Sequence, residues 1–340
     1  MIRRIFLLTS LAAAALSHAE PLVDFPTDNR ALLEGRPEAF FMYVERDFEG
    51  EKTKPWQGGQ FGYVRGPQRS GDKVIYTHMH EGIDIAPKRR DASGNPLDEV
   101  RAAASGKVVH TSREAGASNY GRYVVIEHIW SGAPVYTLYA HLSSIAVEPG
   151  QTVRQGQPIG IMGFTGAGID RPRSHVHFEV CFRLSDKFDS WHQAVFPGNP
   201  NKHGNFNGLN LVGIDPARLL VDAHANPSLR FPEAVAANEP AFKITVRNTP
   251  NLSLIRNYPW LVAPGEVANP PSWTITFNRH GAPLKVEASR TVVTDPVATW
   301  LRDTGQPASV ATKNLVTGSP TAPRLTDSGK RFARLLTWPD

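Results

Sequence analysis

An all-β fold, either a β-sandwich or a β-barrel, is the fold class that this 340-residue sequence predicts. Short runs rich in Val, Ile, Tyr and Phe recur between residues 73 and 182, and Gly, Pro, Asn and Ser separate them. Such runs are typical of β-strands, and their close spacing favours many short strands over a helical bundle. The 28 glycines and 28 prolines agree with a turn-rich chain, and a hydrophobic content of 41% suffices for a buried core.

The predicted strands succeed one another along a single stretch of the chain. They are Lys73–Tyr76, Gly82–Ala86, Gly106–Thr111, Arg122–His128, Val135–His141, Pro158–Phe164 and Val176–Phe182. Residues 150–163 are expected to form a hairpin of the scaffold, residues 183–207 a loop-like insertion, and residues 213–220 the end of the domain. We therefore predict a domain over residues 71–221, preceded by an N-terminal extension over residues 20–70.

The character of the chain changes after Ala223, where proline becomes frequent. Two strands are predicted at Phe242–Val246 and Trp273–Asn278, and the second is expected to turn back into Leu284–Glu287 as a hairpin. This part of the chain contains no catalytic motif. It is predicted to be a small β-rich accessory module over residues 222–340, of unknown role.

Residues 1–19 have the features of an export signal. Arg3 and Arg4 give a basic start, an apolar stretch runs from Ile5 to Leu16, and Ser17-His18-Ala19 carries small residues where signal peptidases recognise them. The apolar stretch is shorter than the roughly 20 residues that cross a bilayer, which disfavours a membrane anchor. We expect cleavage after Ala19 and an exported protein, periplasmic or extracellular, with no stable membrane insertion after cleavage.

Charge and cysteine content narrow the classes of partner. A formal net charge of +5 suits an anionic surface such as a bacterial envelope polymer. The sequence has no basic helix and no basic–aromatic stripe, so nucleic acid is not expected as a partner. Cys181 is the single cysteine and cannot form a disulfide within the chain. Its apolar, alternating surroundings predict a buried side chain rather than a nucleophile.

A first candidate metal motif is His80-Glu81-Gly82-Ile83-Asp84. Imidazole and carboxylate groups are both good zinc ligands, and Gly82 is expected to let the backbone bend between them. On its own, a histidine and an aspartate at this spacing occur by chance in many proteins. His78, two residues before His80, is an alternative ligand.

A second motif is Ser174-His175-Val176-His177-Phe178-Glu179. Residues two apart in a strand point to the same face, so His175 and His177 are expected to project into one cleft. Two imidazoles on a core face would be costly, since each needs hydrogen-bond partners. A solvated edge strand is the alternative interpretation. Glu179 shares the face of the two histidines and is a candidate hydrogen-bond partner for one of them.

With a third motif, Tyr139-Ala140-His141-Leu142, the sequence resembles the lysostaphin-like zinc metalloendopeptidases, also called LytM-type or duplicated-hybrid-motif peptidases. The order H-x-G-x-D, Y-A-H-L and H-x-H-F-E is the order of that family. Residues 106–109, 120–126 and 150–160 add further matches. The resemblance extends from about Gly71 to Leu220, the predicted zinc peptidase domain.

The resemblance implies one zinc ion per chain, with His80, Asp84 and His177 as its ligands. It implies that His141 and His175 are catalytic residues. Three protein ligands leave one position for water, as in catalytic zinc sites. The implied activity is hydrolysis of peptide bonds in peptidoglycan stems or cross-bridges by an activated water that the two histidines assist. No other cofactor is expected.

Three departures from the family pattern keep the substrate preference open. The stretch from Thr165 to His175 is longer than usual, Ser174 stands where the family commonly has proline, and residues 183–207 are an untypical insertion. The N-terminal extension is a candidate inhibitory segment, with Asn29 as a candidate capping ligand.

Two other functions fit the same resemblance. One is a catalytically inactive relative that binds peptidoglycan or activates an amidase, and the other is a peptidase that acts on proteins. Inactive relatives lose zinc ligands, whereas all five implied positions are filled in this sequence. This favours an enzyme, with peptidoglycan or another peptide as its substrate.

Overall fold

The structure is a computed structural model that describes residues 20–250, 252–265 and 269–339, so the predicted export signal lies outside it. The strands are β1 (Gly62–Ser70), β2 (Lys73–His80), β3 (Ile83–Ile85), β4 (Glu99–Arg101), β5 (Gly106–Ser112), β6 (Tyr123–Trp130), β7 (Ala133–Ala140), β8 (Ser144–Ile145), β9 (Thr152–Val153), β10 (Pro158–Ile161), β11 (Val176–Arg183), β12 (Leu211–Ile214), β13 (Phe242–Arg247), β14 (Ser272–Phe277), β15 (Pro283–Ser289), β16 (Val297–Leu301), β17 (Val316–Ser319) and β18 (Ala322–Leu325). The helices are α1 (Pro37–Phe40), α2 (Phe188–Val195), α3 (Pro216–Ala225), α4 (Phe231–Ala236), α5 (Ser253–Asn257), α6 (Ala308–Ala311) and α7 (Asp327–Leu336). Turns of 3₁₀-helix lie at Pro55–Gly59, Gly204–Phe206 and Pro259–Leu261. The all-β fold class is confirmed, because most regular elements are strands in antiparallel sheets.

The central sheet has the strand order β12-β11-β7-β6-β5-β9, and β3 joins it at β11. β11 is the strand that positions the site: its first residues pair with β3 on one edge and its last residues pair with β12 on the same edge. β7 pairs along its other edge. β11 is almost completely buried on both faces, which agrees with its run of apolar residues.

Smaller sheets flank the central sheet. β1 and β2 form a hairpin that spans the predicted border between residues 70 and 71, and β4, β10 and β8 form a three-stranded sheet. The hairpin expected over residues 150–163 is absent as such, because β9 pairs with β5 and β10 pairs with β4 and β8. The turn between β9 and β10 therefore links two different sheets.

The C-terminal part contains a four-stranded antiparallel sheet in the order β15-β14-β13-β16 and the hairpin β17–β18. The predicted hairpin is confirmed, with Phe277 of β14 opposite Pro283 of β15. Among the described residues, no helix is both long enough and apolar enough to cross a membrane.

The predicted loop over residues 183–207 is wrong in its central part, where α2 forms. Phe188, Trp191 and His192 are the buried residues of this helix and lie on one face at helical spacing. The 3₁₀ turn at Gly204–Phe206 follows, and Asn210 then closes the segment by donating hydrogen bonds to the carbonyls of Ser185 and Asn205. The insertion therefore has regular secondary structure and is not an irregular loop.

One hydrophobic core continues from the central sheet into the C-terminal part. At the junction, the Phe182 ring lies 5.5 Å from that of Phe231 and 5.1 Å from that of Tyr258, and Trp130 lies 5.3 Å from Phe231. The Tyr258 hydroxyl also accepts a hydrogen bond from the backbone N–H of Arg183. Rings at these distances are in van der Waals contact, so the junction is packed like a domain interior.

Acid is expected to destabilise the fold through His128, which is buried in the central sheet and 1% exposed. Its Nδ1 lies 2.9 Å from the Ser105 carbonyl and its Nε2 lies 2.8 Å from Thr137 Oγ1. Burial lowers its pKa to about 4, so the unfolded chain takes up a proton at a higher pH than the folded chain does. The contribution of neutral His128 to the free energy of unfolding is complete above pH about 6.5 and is lost as the pH falls towards 4. By pH 5 the free energy of unfolding has decreased by about 2 kcal/mol on this account.

Urea unfolding of the wild type and of His128→Gln at pH 7.5 and pH 5.0 measures this contribution. The variant should lose about 2 kcal/mol less than the wild type over this interval. Other histidines, and any release of bound metal at low pH, change the free energy of unfolding of both proteins equally. These changes therefore cancel when the two proteins are compared. Equal losses would contradict the role of His128.

Candidate metal centre

The pairing of β11 with β3 builds the centre of the site. In this register His177 lies opposite Asp84, and on the other edge of β11 it lies opposite Ala140, the last residue of β7. His80 ends β2, and His141 immediately follows β7. Strand alternation places the side chains of His175, His177 and Glu179 on one face, as the sequence predicted.

Gly82 is required here for its small size. A Cβ at this position would lie 2.4 Å from the carbonyl oxygen of Phe178 and 2.9 Å from Cε1 of His177. The backbone of Gly82 is not in the left-handed region, so the expected bend is not the reason for the glycine. Instead, the absence of a side chain lets the His80–Asp84 segment lie directly against β11.

Three side-chain atoms converge in a buried cluster formed by His80, Asp84 and His177. His80 Nε2 and His177 Nδ1 each lie 3.0 Å from Asp84 Oδ1, and the two nitrogens lie 3.0 Å from each other. The three side chains are 3–6% exposed. Two imidazoles and one carboxylate are a common zinc donor set, and atoms spaced in this way can all contact one ion at about 2.0–2.2 Å. The donor set and its spacing therefore fit a zinc ion.

Both histidines of the cluster have a second hydrogen-bond partner that fixes the orientation of the ring. His80 Nδ1 lies 2.7 Å from the Gln60 carbonyl, and His177 Nε2 lies 2.9 Å from Glu179 Oε1. Tyr120 Oη donates to the same Glu179 oxygen at 2.6 Å. Such outer partners set the tautomer and the ring orientation of metal-binding histidines. Glu179 thus has the position that the sequence indicated.

Asp84 is held by Arg65 of β1. The Arg65 guanidinium donates to Asp84 Oδ2 and, through Nε, to the Gly58 carbonyl at 2.8 Å. The other oxygen, Asp84 Oδ1, is left to face the two histidines. Burial raises the pKa of Asp84, but the neighbouring histidines outweigh it, and the carboxyl group stays ionised.

Removal of this contact is expected to weaken metal binding. Arg65→Gln should lower zinc affinity by about 10- to 100-fold, because the carboxylate loses the partner that orients it. Competition with a chromogenic chelator measures the affinity without reference to activity. Arg69→Gln is the matched control, since Arg69 lies on the same strand and pairs with Glu49 and Glu51 at the surface. Equal affinities in the two variants would contradict an orienting role for Arg65.

His141 and His175 lie beside the cluster with the same hydrogen-bonding arrangement. Nδ1 of His141 lies 2.9 Å from the Thr165 carbonyl, and Nδ1 of His175 lies 2.7 Å from the Arg173 carbonyl. A carbonyl accepts, so each Nδ1 carries the proton when the imidazole is neutral, and Nε2 of a neutral His141 then has a lone pair. His175 Nε2 lies 3.3 Å from Asp84 Oδ1. The centroids of the His141 and His175 rings are 4.8 Å apart.

The backbone of His141 is in the left-handed region, with φ of +65°. This conformation is uncommon for a residue with a Cβ and costs about 1–3 kcal/mol. Its N–H donates to the Tyr120 carbonyl at 2.9 Å, which helps to hold the turn after β7. Burial, followed by the charges of His175 and His177, keeps the pKa of His141 well below its usual range. The imidazole is therefore neutral and able to accept a proton.

The structure brings all five sequence-predicted site residues together, with His141 and His175 beside the cluster of three. It leaves His78 exposed on β2 and outside the cluster. Asn29, the candidate capping ligand, has other partners: its Nδ2 donates to the carbonyls of Ala39 and Ala86, and its Oδ1 accepts from the N–H of Ala31. Cys181 is buried, as predicted, and donates to Glu179 Oε2. No sequence motif indicated Arg65, which reaches the site from the N-terminal extension.

Comparison with known proteins assigns this region to a family. Residues 78–189 match the family described as Peptidase family M23. The chain is 39% identical over 104 residues to the peptidoglycan DD-endopeptidase ShyA of Vibrio cholerae, a match that covers 31% of this chain and 20% of the relative. It is 37% identical over 118 residues to lysostaphin of Staphylococcus simulans, covering 35% of this chain and 20% of the relative.

A third relative is an uncharacterized metalloprotease of Haemophilus influenzae, 36% identical over 100 residues, covering 29% of this chain and 18% of the relative. The matched segment thus spans a fifth or less of the length of these three relatives. Among solved structures, the catalytic domain of lysostaphin is 26% identical, with coverage of 50% of this chain and 98% of that one and a TM-score of 0.28. The sequence motifs and the family match agree, and residues 78–189 form a domain of peptidase family M23.

Proposed function

We propose that this protein is a zinc-dependent metalloendopeptidase that hydrolyses peptide bonds in the stems or cross-bridges of peptidoglycan. The observation that carries the proposal is the convergence of His80 Nε2, Asp84 Oδ1 and His177 Nδ1 within 3.0 Å of one another. His141 and His175 beside them supply two further imidazoles, each with its Nδ1 facing a backbone carbonyl. An inactive binding relative would not need this complete set.

The ligand set of His80, Asp84 and His177 would hold one zinc ion, which supplies Lewis-acid activation of water and of the scissile carbonyl. His141 and His175 accept and donate the protons that are transferred during hydrolysis. A neutral imidazole with its Nδ1 proton bound to a backbone carbonyl can accept a proton at Nε2 and then, once charged, donate it to the leaving amine. The charged imidazole also stabilises negative charge that develops on the carbonyl oxygen.

The chain's own packing keeps bulk water away from these groups. His141 is 7% exposed and His175 is 3% exposed. In such surroundings a hydrogen bond or a charge acts more strongly than it does in water. Peptidoglycan is the proposed substrate because two relatives carry the name peptidoglycan DD-endopeptidase and because the net charge of +5 favours an anionic polymer.

The test measures metal content and fragment release together. We expect about one zinc per chain in residues 20–340 and release of soluble fragments from purified peptidoglycan that a chelator abolishes and added zinc restores. Mass spectrometry of the fragments identifies the bond that is cleaved. Zinc without release from peptidoglycan, but with cleavage of an unfolded protein, would favour a protein substrate. Absence of both zinc and release would contradict the enzyme and favour a binding role.

A further inference from the structure

A cavity of about 780 Å³ lies between the insertion that contains α2 and the C-terminal residues around α7. None of the three cluster residues lines it, and neither does His141 or His175. It nevertheless adjoins the cluster at Tyr120 and Glu81, which both line it. Tyr120 donates to Glu179 and its ring lies 5.7 Å from that of His177, while Glu81 directly follows His80. The cavity has the size of a small-molecule or peptide subsite and opens beside the proposed reaction centre.

Apolar side chains from two distant parts of the chain line the cavity together with polar ones. Trp191 and Phe196 contribute from the insertion, and Leu315 and Phe332 contribute from the C-terminal part. Leu209, at the rim, is 53% exposed. Exposed apolar side chains around a concave surface are typical of a binding groove.

The charged side chains that line the cavity are mainly cationic. They are Lys202, Lys313 and Arg331, against the single carboxylate of Glu81. Lys313 Nζ lies 3.6 Å from Glu81 Oε1, whereas Lys202 and Arg331 form no ion pair with any described residue. Both are exposed, and the one side-chain hydrogen bond that they form among the described residues, from Arg331 Nη2 to Ser328 Oγ at 3.2 Å, leaves the charge of each without an opposite partner. An apolar groove with unpaired cations is complementary to a ligand that carries carboxylates.

Polar groups in the cavity wall also lack partners. Ser118 Oγ, Trp191 Nε1 and His192 Nδ1 are buried and have no hydrogen-bond partner among the described residues. Trp191 and His192 are each 3% exposed. Each of these atoms is covered by its neighbours, so the charged and apolar side chains are the groups that a ligand in the cavity meets directly.

We propose that this cavity is a specificity subsite that binds an acidic peptide segment on one side of the scissile bond, with Lys202 and Arg331 pairing with its carboxylates. The C-terminal part of the chain then selects the substrate rather than serving as a separate accessory. This proposal rests on the proposed function for the cleavage step, but binding in the cavity does not depend on cleavage. Peptide stems with free carboxylates are the class of ligand that the charges and the apolar walls fit.

The first measurement compares two preparations of purified peptidoglycan, one native and one with its free carboxyl groups converted to amides by carbodiimide and ammonia. The wild type should act on the native preparation with kcat/KM about tenfold higher than on the amidated one. The variant Lys202→Gln/Arg331→Gln should lose this preference and keep the wild-type zinc content. A control of the same charge, Arg324→Gln/Lys330→Gln, changes two exposed cations that do not line the cavity and should keep the preference. Equal loss in both double variants, or no preference in the wild type, would overturn the subsite.

The second measurement does not need turnover. Calorimetry follows binding of the tetrapeptide L-Ala–γ-D-Glu–L-Lys–D-Ala to the zinc-loaded wild type and to both double variants. Binding about tenfold weaker in Lys202→Gln/Arg331→Gln than in the control supports the subsite even when no preparation is cleaved, in which case the proposed function alone fails. Equal binding in all three proteins overturns the subsite whether or not peptidoglycan is cleaved.

Discussion

Replacement of His177 by alanine is expected to remove both the bound zinc and the activity. The imidazole is the proposed ligand on β11 and links the cluster to Glu179, so its loss leaves two proposed ligands from one short segment, His80 and Asp84. Two ligands hold zinc poorly, and we expect at least about a thousandfold loss in kcat/KM. Zinc content by mass spectrometry and fragment release from peptidoglycan are the two measurements.

His78→Ala is the matched control for this experiment. His78 lies at the end of β2, two residues from His80, but it is exposed and outside the cluster. The control should retain its zinc and its activity. Normal zinc content in His177→Ala would reject the ligand role of His177, and loss of zinc in His78→Ala would revive the alternative ligand that the sequence allowed.

Replacement of His141 by asparagine should separate metal binding from catalysis. Asparagine tolerates the left-handed backbone of this position, so the fold is retained, while the imidazole that is proposed to accept the proton is lost. We expect full zinc content and a fall in kcat of about 10²- to 10⁴-fold with little change in KM. Single-turnover kinetics on zinc-loaded protein provides the measurement, and the unfolding midpoint verifies that the variant is folded. Wild-type turnover would mean that another group accepts the proton.

The strands and the histidine cluster were accessible from sequence for a simple reason. β-branched and aromatic runs bounded by turn residues predict strands from local information, and the period of two in His175-Val176-His177 fixes which side chains share a face. The pairing of that face with His80 and Asp84 is a long-range contact, and only the family resemblance of three ordered motifs supplied it. The structure brings these residues together through the β3–β11 register.

Other parts were missed for different reasons. The helical spacing of Phe188, Trp191 and His192 was present in the sequence, but neighbouring proline, glycine and asparagine residues made the segment resemble a loop. Arg65 could not be predicted, because its contact with Asp84 depends on how the β1–β2 hairpin packs on the central sheet. The cavity likewise needs both the insertion and the C-terminal residues in place, which no local pattern specifies.

The aromatic junction around Phe182 limits which fragments of the chain can fold separately. A fragment that stops near residue 221 would expose the faces of Trp130 and Phe182 that Phe231 and Tyr258 cover. Exposed aromatic surface of this kind promotes aggregation. The C-terminal part is therefore unlike a module joined by a flexible linker, which recombination can exchange freely. Mutation and selection should instead act on the part that holds the metal site and the C-terminal part as one inherited unit.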